Sequence, residues 1–528
     1  MARNATRHVR TTLGAAAVML TVLSALTACT SEDPGPPANA APSAGSSEES
    51  DTEESPTPLA SGEEMELSVL TYNIEYSGDK TTDAVIKDVG ADIVGVLESY
   101  DRLPEIAEKT GYPYYNLGLQ ILSKYPIHEP SGADGLYSLI EVQPGYVVAM
   151  FNTHLDYVRY GPRLYLNGMA VEDVLASEDV VRTSSIEVLT PDVQNLIDEG
   201  YPVFLTGDLN QPSSLDYTEA TLGMREGVDD VIPWTVSEAL LATGLRDSFR
   251  EIHPDPVENP GLTHGNPDFH EGGFGDRIDY LYAGGPATTL TSEMVGEVGG
   301  PNVDREYDPW TSDHRAVLSS FDVTPVALRQ TLSLDRRLIT EGEDLGALYN
   351  APGNDEGTIY VVPEGGAADE AVVSVDVSGE SGTTQVDTTT LRPAGYDVVL
   401  TDADGEELER NSFWIRSEED DIALATDKTT YAVGEPIEVT WDDGPANRWD
   451  WVGVYEADAA DPEKDDYLIW GYTGGHEAGA LPPTVFGEMT MGDESQGKPW
   501  PLPPGDYRIH YLLADQYSSA GYVDVTVE

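Results

Sequence analysis

Among 528 residues there is a single cysteine, Cys29, and only 28 lysines and arginines stand against 95 aspartates and glutamates. The lone thiol excludes any disulfide within the chain, whatever the redox state of its compartment. The shortage of cations leaves a formal net charge of −67 and a pI near 4.1. No broad basic face can form from such a composition, so tight binding of a nucleic-acid backbone by counterion release is disfavoured. The acidity reads most simply as a solubility device, suited to salty surroundings that screen self-repulsion. A small positive site is not excluded, because one divalent cation reverses the field inside a pocket. Long apolar runs are also missing, and Leu13 to Ala28 is too short and wrongly flanked for an ordinary spanning helix.

What is present begins with an address. Arg3, Arg7 and Arg10 precede the apolar run, which closes on Leu26-Thr27-Ala28-Cys29. This ending resembles the lipobox of bacterial lipoproteins. The resemblance implies a signal peptide over residues 1–29, a lipid carried on Cys29, and an extracytoplasmic protein anchored to the bacterial cell membrane. Residues 30–65 are rich in Ser, Pro, Ala, Gly and acids, with too little apolar content to offset ordering, and read as a disordered tether.

From Leu67 the texture changes. Strand-like runs at Leu67–Tyr72, Asp92–Leu97, Tyr146–Thr153, Pro202–Thr206 and Ile278–Tyr282 alternate with helix-like stretches such as Thr82–Val89 and Thr190–Glu199. Residues 66–323 therefore read as an α/β or α+β domain around a buried sheet. Beyond Val323 the pattern is all-β, and it repeats. Gly342-Glu343, Asn350–Asn354, Thr358–Val362 and Leu391–Tyr396 are echoed by Gly434-Glu435, Gly444–Asn447, Trp451–Tyr455 and Leu502–Tyr507. Units at 326–416 and 424–528 have the size of immunoglobulin-like β-sandwiches. The second, through Trp449-Asp450-Trp451-Val452-Gly453-Val454-Tyr455, resembles SKICH-type modules.

Chemistry-bearing side chains collect at the ends of the apolar runs of residues 66–323. Asn73 follows the first, Glu98 the second, His154 and Asp156 the third, and Asp208 and Asn210 the fourth. Asp279 lies inside Arg277–Leu281, and Asp313-His314 precede Ala316–Leu318. Strand ends deliver side chains to a shared cleft. Several carboxylates in one such cleft repel one another, and a divalent cation relieves that cost.

The blocks Tyr72-Asn73-Ile74, Val96-Leu97-Glu98, Ile121–Ile127, Asn152–Asp156, Gly207–Asn210, Arg277–Tyr280 and Ser312–His314 together resemble the endonuclease/exonuclease/phosphatase superfamily. That superfamily holds DNase-I-like nucleases, apurinic endonucleases, bacterial sphingomyelinases and inositol polyphosphate 5-phosphatases. The resemblance implies a four-layered sandwich of two sheets flanked by helices. It also implies a Mg²⁺- or Mn²⁺-dependent hydrolase of phosphoesters, with Ca²⁺ a further option.

By the same resemblance, Glu98 holds the metal with Asn73 and Asp313 close to it. Asp208 orients or deprotonates the attacking water and Asn210 holds the scissile phosphate. His314, paired with Asp279, binds or protonates a phosphate oxygen, and His154 stabilises the transition state. Substrates left open are nucleic acid, phospholipid head groups and small phosphate esters. The competing reading is a non-catalytic surface lipoprotein for adhesion or ligand binding that carries a relic hydrolase domain. Glu75, Lys124, Arg277, His264 and His270 read more simply as structural, Asp276 as a loop residue, and Tyr157–Ser185 as an inserted flap or surface excursion.

Overall fold

The computed structural model describes residues 59–528 other than 134, 158, 226, 265–274, 417–421, 443, 445–449, 458–461, 463–466, 474–484, 493–494, 498 and 514–516. The expectations for Cys29, for the tether up to residue 58 and for His270 lie outside the described residues. Among the described residues no helix is long and apolar enough to cross a membrane.

The strands of the first region run, in chain order, β1 (Met65–Asn73), β2 (Ile93–Leu97), β3 (Tyr114–Asn116), β4 (Ile121–Ser123), β5 (Ile127–His128), β6 (Ser138–Gln143), β7 (Tyr146–His154), β8 (Val203–Asp208), β9 (Arg246–Asp247), β10 (Asp279–Gly284), β11 (Ala287–Glu297), β12 (Arg305–Tyr307) and β13 (Ala316–Val323). One sheet has the order β12-β11-β13-β1-β2-β4-β3, and the other β5-β6-β7-β8-β10-β9. The central pairs β1–β2 and β7–β8 are parallel.

Strand β1 shows why the apolar runs are nearly continuous. Leu67 and Val69 point into the layer between the sheets, where they meet Met150, Phe204 and Leu281. Leu70 and Tyr72 point the other way, onto Val85, Ile86 and Ile106 of the helices Lys80–Val89 and Leu103–Thr110. A strand buried on both faces needs apolar residues at both parities. On the far side, Phe151 and Leu205 pack with Val193, Leu196 and Leu240 of the helices Thr190–Asp198 and Thr235–Ala242. The result is helix, sheet, sheet, helix, as the resemblance implied.

Local signals set the first helix. Asp79 caps it by accepting from the N–H groups of Thr81 and Thr82, and Gly90 ends it at φ +60°. A buried polar tie joins the two sheets. Asn152 Nδ2 donates to Val96 O at 3.0 Å and Leu119 O at 2.8 Å, while its Oδ1 accepts from Thr206 Oγ1 at 2.8 Å. Gly95 leaves the room, because a methyl group there runs into Thr206 Oγ1 and Asn152 Oδ1.

Residues 331–416 form a three-stranded and a five-stranded sheet over one core that includes Leu345, Ile359, Val398 and Phe413. Residues 423–527 form a three-stranded and a six-stranded sheet over a core that includes Ile437, Val452, Ile509 and Val525. The repeated motifs make the same turns. Glu343 accepts from Thr340 N and Glu435 from Ala432 N, each at 2.9 Å beside a glycine at positive φ. Tyr396 and Tyr507 each donate to the carbonyl four residues back, that of Arg392 and of Pro503.

Candidate active site

The register of the second sheet aligns three side chains. His154, the last residue of β7, sits opposite Asp208, the last of β8, and Asp208 sits opposite Asp279, the first of β10. Strand ends at one level thus place an imidazole and two carboxylates side by side. From the other sheet, β1 delivers Asn73 and β2 leads into Glu98. The segment before β13 delivers Asp313 and His314.

Asn73 joins the two halves. It is fully buried, and its Nδ2 donates to Glu98 Oε1 and to Asp208 Oδ2, both at 3.0 Å. Its Oδ1 accepts from Glu75 N at 3.0 Å. Both amide hydrogens are therefore committed to carboxylates, and only the second lone pair of Oδ1 remains for a cation.

Asp208 is almost fully buried. Asn210 N donates to its Oδ1 at 2.9 Å, and the Nε2 atoms of His154 and His314 lie 3.5 and 3.6 Å from its Oδ2. Burial and the neighbouring Asp279 push its pKa up to about 6, against the pull of the two histidines. Asn210, at φ +45°, turns its amide to Leu155 O at 2.9 Å and His154 Nε2 at 3.1 Å.

His314 is held by Asp279. Its Nδ1 meets Asp279 Oδ2 at 2.8 Å, which leaves Nε2 facing Asp208 and, at 3.8 Å, Asp313 Oδ1. Burial lowers the pKa of this imidazole, but the charges of Asp279 and Asp208 outweigh it and hold the ring well above its ordinary value. Ser312 sets the loop by donating to Asn73 O at 2.7 Å and accepting from His314 N at 3.0 Å. Thr263 Oγ1 receives the N–H groups of Ile278 and Asp279, both at 3.0 Å.

A second cluster of carboxylates flanks the first. Glu98 stands at φ +61°, and Glu75, Tyr76 and Ser77 also have positive φ. Such conformations are costly for residues with a side chain and gather at functional sites. Here the strain is held by Tyr76 N donating to Glu98 Oε2 at 2.9 Å and Ser77 N donating to Glu98 O at 2.8 Å. Glu75 Oε2 accepts from Asp313 N at 3.2 Å, and burial with the charges of Asp313 and Glu98 pushes its pKa up. Mutual repulsion among Glu75, Glu98 and Asp313 is what a bound cation would relieve. Their donor set is all oxygen, which suits a hard ion such as Mg²⁺ or Mn²⁺.

All eight residues expected from the sequence, Asn73, Glu98, His154, Asp208, Asn210, Asp279, Asp313 and His314, are therefore linked in one contiguous polar cluster. Asp156 is buried beside it. Glu75 and His264 belong there as well, since the ring of His264 lies 4.7 Å from that of His314. Arg277 and Lys124 keep their structural reading. Arg277 is buried between Asp216 and Asp247 at 2.9 and 2.6 Å, and Lys124 pairs with Asp92 at 3.1 Å.

Asp276 lies outside the named strands and helices, as a loop residue, but it is a buried hub that accepts from Tyr160 at 2.6 Å, Tyr217 at 2.9 Å and Arg225 at 3.1 Å. Through Tyr160 it straps down the inserted segment, which is folded. Helices Gly161–Leu166 and Val171–Glu178 bury Leu164, Val171 and Val174 against Tyr217, Ile232 and Trp234. A fully buried pair, Arg182 with Glu178 at 2.7 Å, is tied to Gln211 Nε2 at 2.7 Å, one residue from Asn210. Tyr157, next to this wall, is 58% exposed.

A two-sheet sandwich with histidines, amides and carboxylates at converging strand ends defines the class. Residues 70–314 match the model of the Endonuclease/Exonuclease/phosphatase family. An uncharacterized protein of Caenorhabditis elegans is 29% identical over 291 residues, covering 48% of this chain and 91% of its own. Among solved structures, the endonuclease/exonuclease/phosphatase from Beutenbergia cavernae is 15% identical and covers 66% of this chain and 99% of its own, at a TM-score of 0.31. An AP endonuclease from Archaeoglobus fulgidus is 17% identical and covers 49% of this chain and 100% of its own, at a TM-score of 0.34.

Proposed function

We propose that residues 66–323 hydrolyse phosphoester bonds with the help of Mg²⁺ or Mn²⁺, outside the cytoplasm, on a chain tethered to the cell membrane by a lipid on Cys29. The observation that carries the catalytic part is the arrangement around Asp208. A buried carboxylate with a raised pKa faces two imidazoles, one of them held charged by a second buried carboxylate.

Hydrolysis at phosphorus needs a water aligned for in-line attack, donors to the non-bridging oxygens and a proton for the leaving group. Asp208, fixed by Asn73 and by Asn210 N, takes the proton of the attacking water. The amide of Asn210 and the ring of His154, which touch each other in the free site, turn to donate to the phosphate when it binds. His314, kept as an imidazolium by Asp279, gives a hydrogen bond or proton to a phosphate oxygen. Glu98, Glu75 and Asp313, with Asn73 behind them, would hold the divalent ion, which would supply counter-charge to the phosphate. The strand-rich regions at 326–416 and 424–528 act as immunoglobulin-like modules between the catalytic body and its surroundings.

The test is turnover of an activated phosphodiester and its monoester by the full chain, with Mg²⁺, with Mn²⁺ and with a chelator. Metal-dependent hydrolysis that Asp208→Ala lowers by at least ~10²-fold is expected. Activity unchanged in Asp208→Ala, or unchanged by chelation, overturns the reading. The ratio of diester to monoester rates then separates nuclease-like from phosphatase-like substrates.

A further inference from the structure

We propose that His264, Asp313 and His314 form a second cation position, built on two imidazoles and one carboxylate, that takes a borderline ion of the zinc class in preference to magnesium. One ligand atom from each residue lies within 4.8 Å of the others. One edge, His314 Nε2 to Asp313 Oδ1, is 3.8 Å. Bonds of ~2.0–2.1 Å in a tetrahedron imply ligand separations of roughly 3.4 Å. The site therefore closes by side-chain shifts of roughly an ångström or less. The two residues that must move, His264 and Asp313, are the half-exposed ones, while His314 is buried.

The rest of the geometry is already set. Asp279 takes the Nδ1 side of His314 at 2.8 Å and so turns Nε2 toward the cleft. A carboxylate behind an imidazole in this way fixes the tautomer that binds a metal and raises its basicity. His264 is fixed by its main chain, which pairs with Asp276 on one side and with His314 on the other. Its ring then rests at 42° to that of His314. A ligand held by two flanking segments loses little freedom when an ion arrives.

The donor chemistry separates this position from the first. Imidazole nitrogens suit Zn²⁺ and its neighbours in the transition series, whereas magnesium prefers carboxylate, carbonyl and water oxygens. Glu98 and Glu75 offer only oxygen. Asp313 is shared by the two positions, and Asp208 Oδ2 approaches the same His314 nitrogen, 3.6 Å from Nε2. An ion at this position occupies the His314 nitrogen that the phosphoester reading assigns to substrate, so within that reading its binding and turnover exclude each other.

The experiment titrates the metal-stripped full chain with Co²⁺, whose visible d–d bands become intense in four-coordinate nitrogen–oxygen surroundings. One equivalent should bind with such bands and withstand a hundredfold excess of Mg²⁺. His264→Ala should weaken binding at least tenfold, and Glu98→Gln should leave the bands in place. His264→Gln serves if the alanine variant does not fold, and pulsed electron resonance of Cu²⁺ on the unaltered chain should count two coordinated imidazoles. Absent bands, bands equal in the His264 variants, bands lost in Glu98→Gln, or fewer than two imidazoles would each overturn the proposal. The readout is spectroscopic, so it stands apart from whether phosphoesters are hydrolysed.

Discussion

His314 presents its two nitrogens to different acids, Asp279 behind it and Asp208 in front, and both hold it charged. Replacing Asp279 by asparagine removes the charge that does most to raise His314 and also one that raises Asp208. Both pKa values should fall. Activity that needs Asp208 ionised and His314 protonated is bounded by the first on the acid side and by the second on the alkaline side. In Asp279→Asn both limbs of the pH profile of kcat/KM should therefore move to lower pH, with a plateau lower by ~10²–10⁴-fold. Measuring the profile checks this, and a profile with unmoved limbs would remove His314 from its role. These residues stood out in the sequence because each lies in or beside a recognisable apolar run. The parts played by Glu75, His264 and Thr263 did not. A threonine that accepts two backbone hydrogen bonds has no sequence signature, and His264 is brought to His314 by main-chain pairing between residues distant in sequence.

At the scale of elements, β2 and the pair β7–β8 must approach closely for Asn152 to reach Val96 and Leu119. Gly95→Ala places a methyl group against Thr206 Oγ1 and Asn152 Oδ1 and should cost about 1–3 kcal/mol. Thermal unfolding checks it, with a lowered Tm expected. The inserted segment depends on a different contact. Tyr160→Phe deprives Asp276 of a buried donor and should cost about 1–3 kcal/mol locally. Faster proteolytic cleavage between residues 157 and 185 is the expected sign, and unchanged cleavage would show that the apolar packing alone holds the segment. Strand positions were readable from both-face burial, as in β1. The order of strands was not, because β13 inserts between β11 and β1 from far along the chain, and nothing local announces a partner. The hub at Asp276 was not foreseen for a related reason: its partners are distant in sequence, Tyr160 before the helix Gly161–Leu166 and Tyr217 and Arg225 in the connection that follows β8.

For the whole molecule the charge of −67 dominates encounters with other ions. A polyanionic substrate must approach against this field, and salt weakens the repulsion. KM for an oligonucleotide should therefore fall as NaCl rises from ~20 to ~200 mM, the reverse of a basic nuclease, while KM for an uncharged or zwitterionic substrate changes little. Steady-state kinetics at both salts test this, and an oligonucleotide KM that rises with salt would point to a local positive face. The two β-rich regions share turns at Glu343 and Glu435 and corners at Tyr396 and Tyr507. Such details were visible as a repeat because the side chains that build each turn keep their short spacing, as from Leu391 to Tyr396 and from Leu502 to Tyr507, while the stretches between the turns differ in length. The place of β13 also sets a schedule for synthesis. Asp313 and His314 enter the cleft only when β13 has been added to the middle of a sheet whose neighbour, β1, was made roughly 250 residues earlier. A chain that is still emerging, or that stalls before Val323, has no assembled site, because the polar cluster is complete only when almost the whole of the first region has been released.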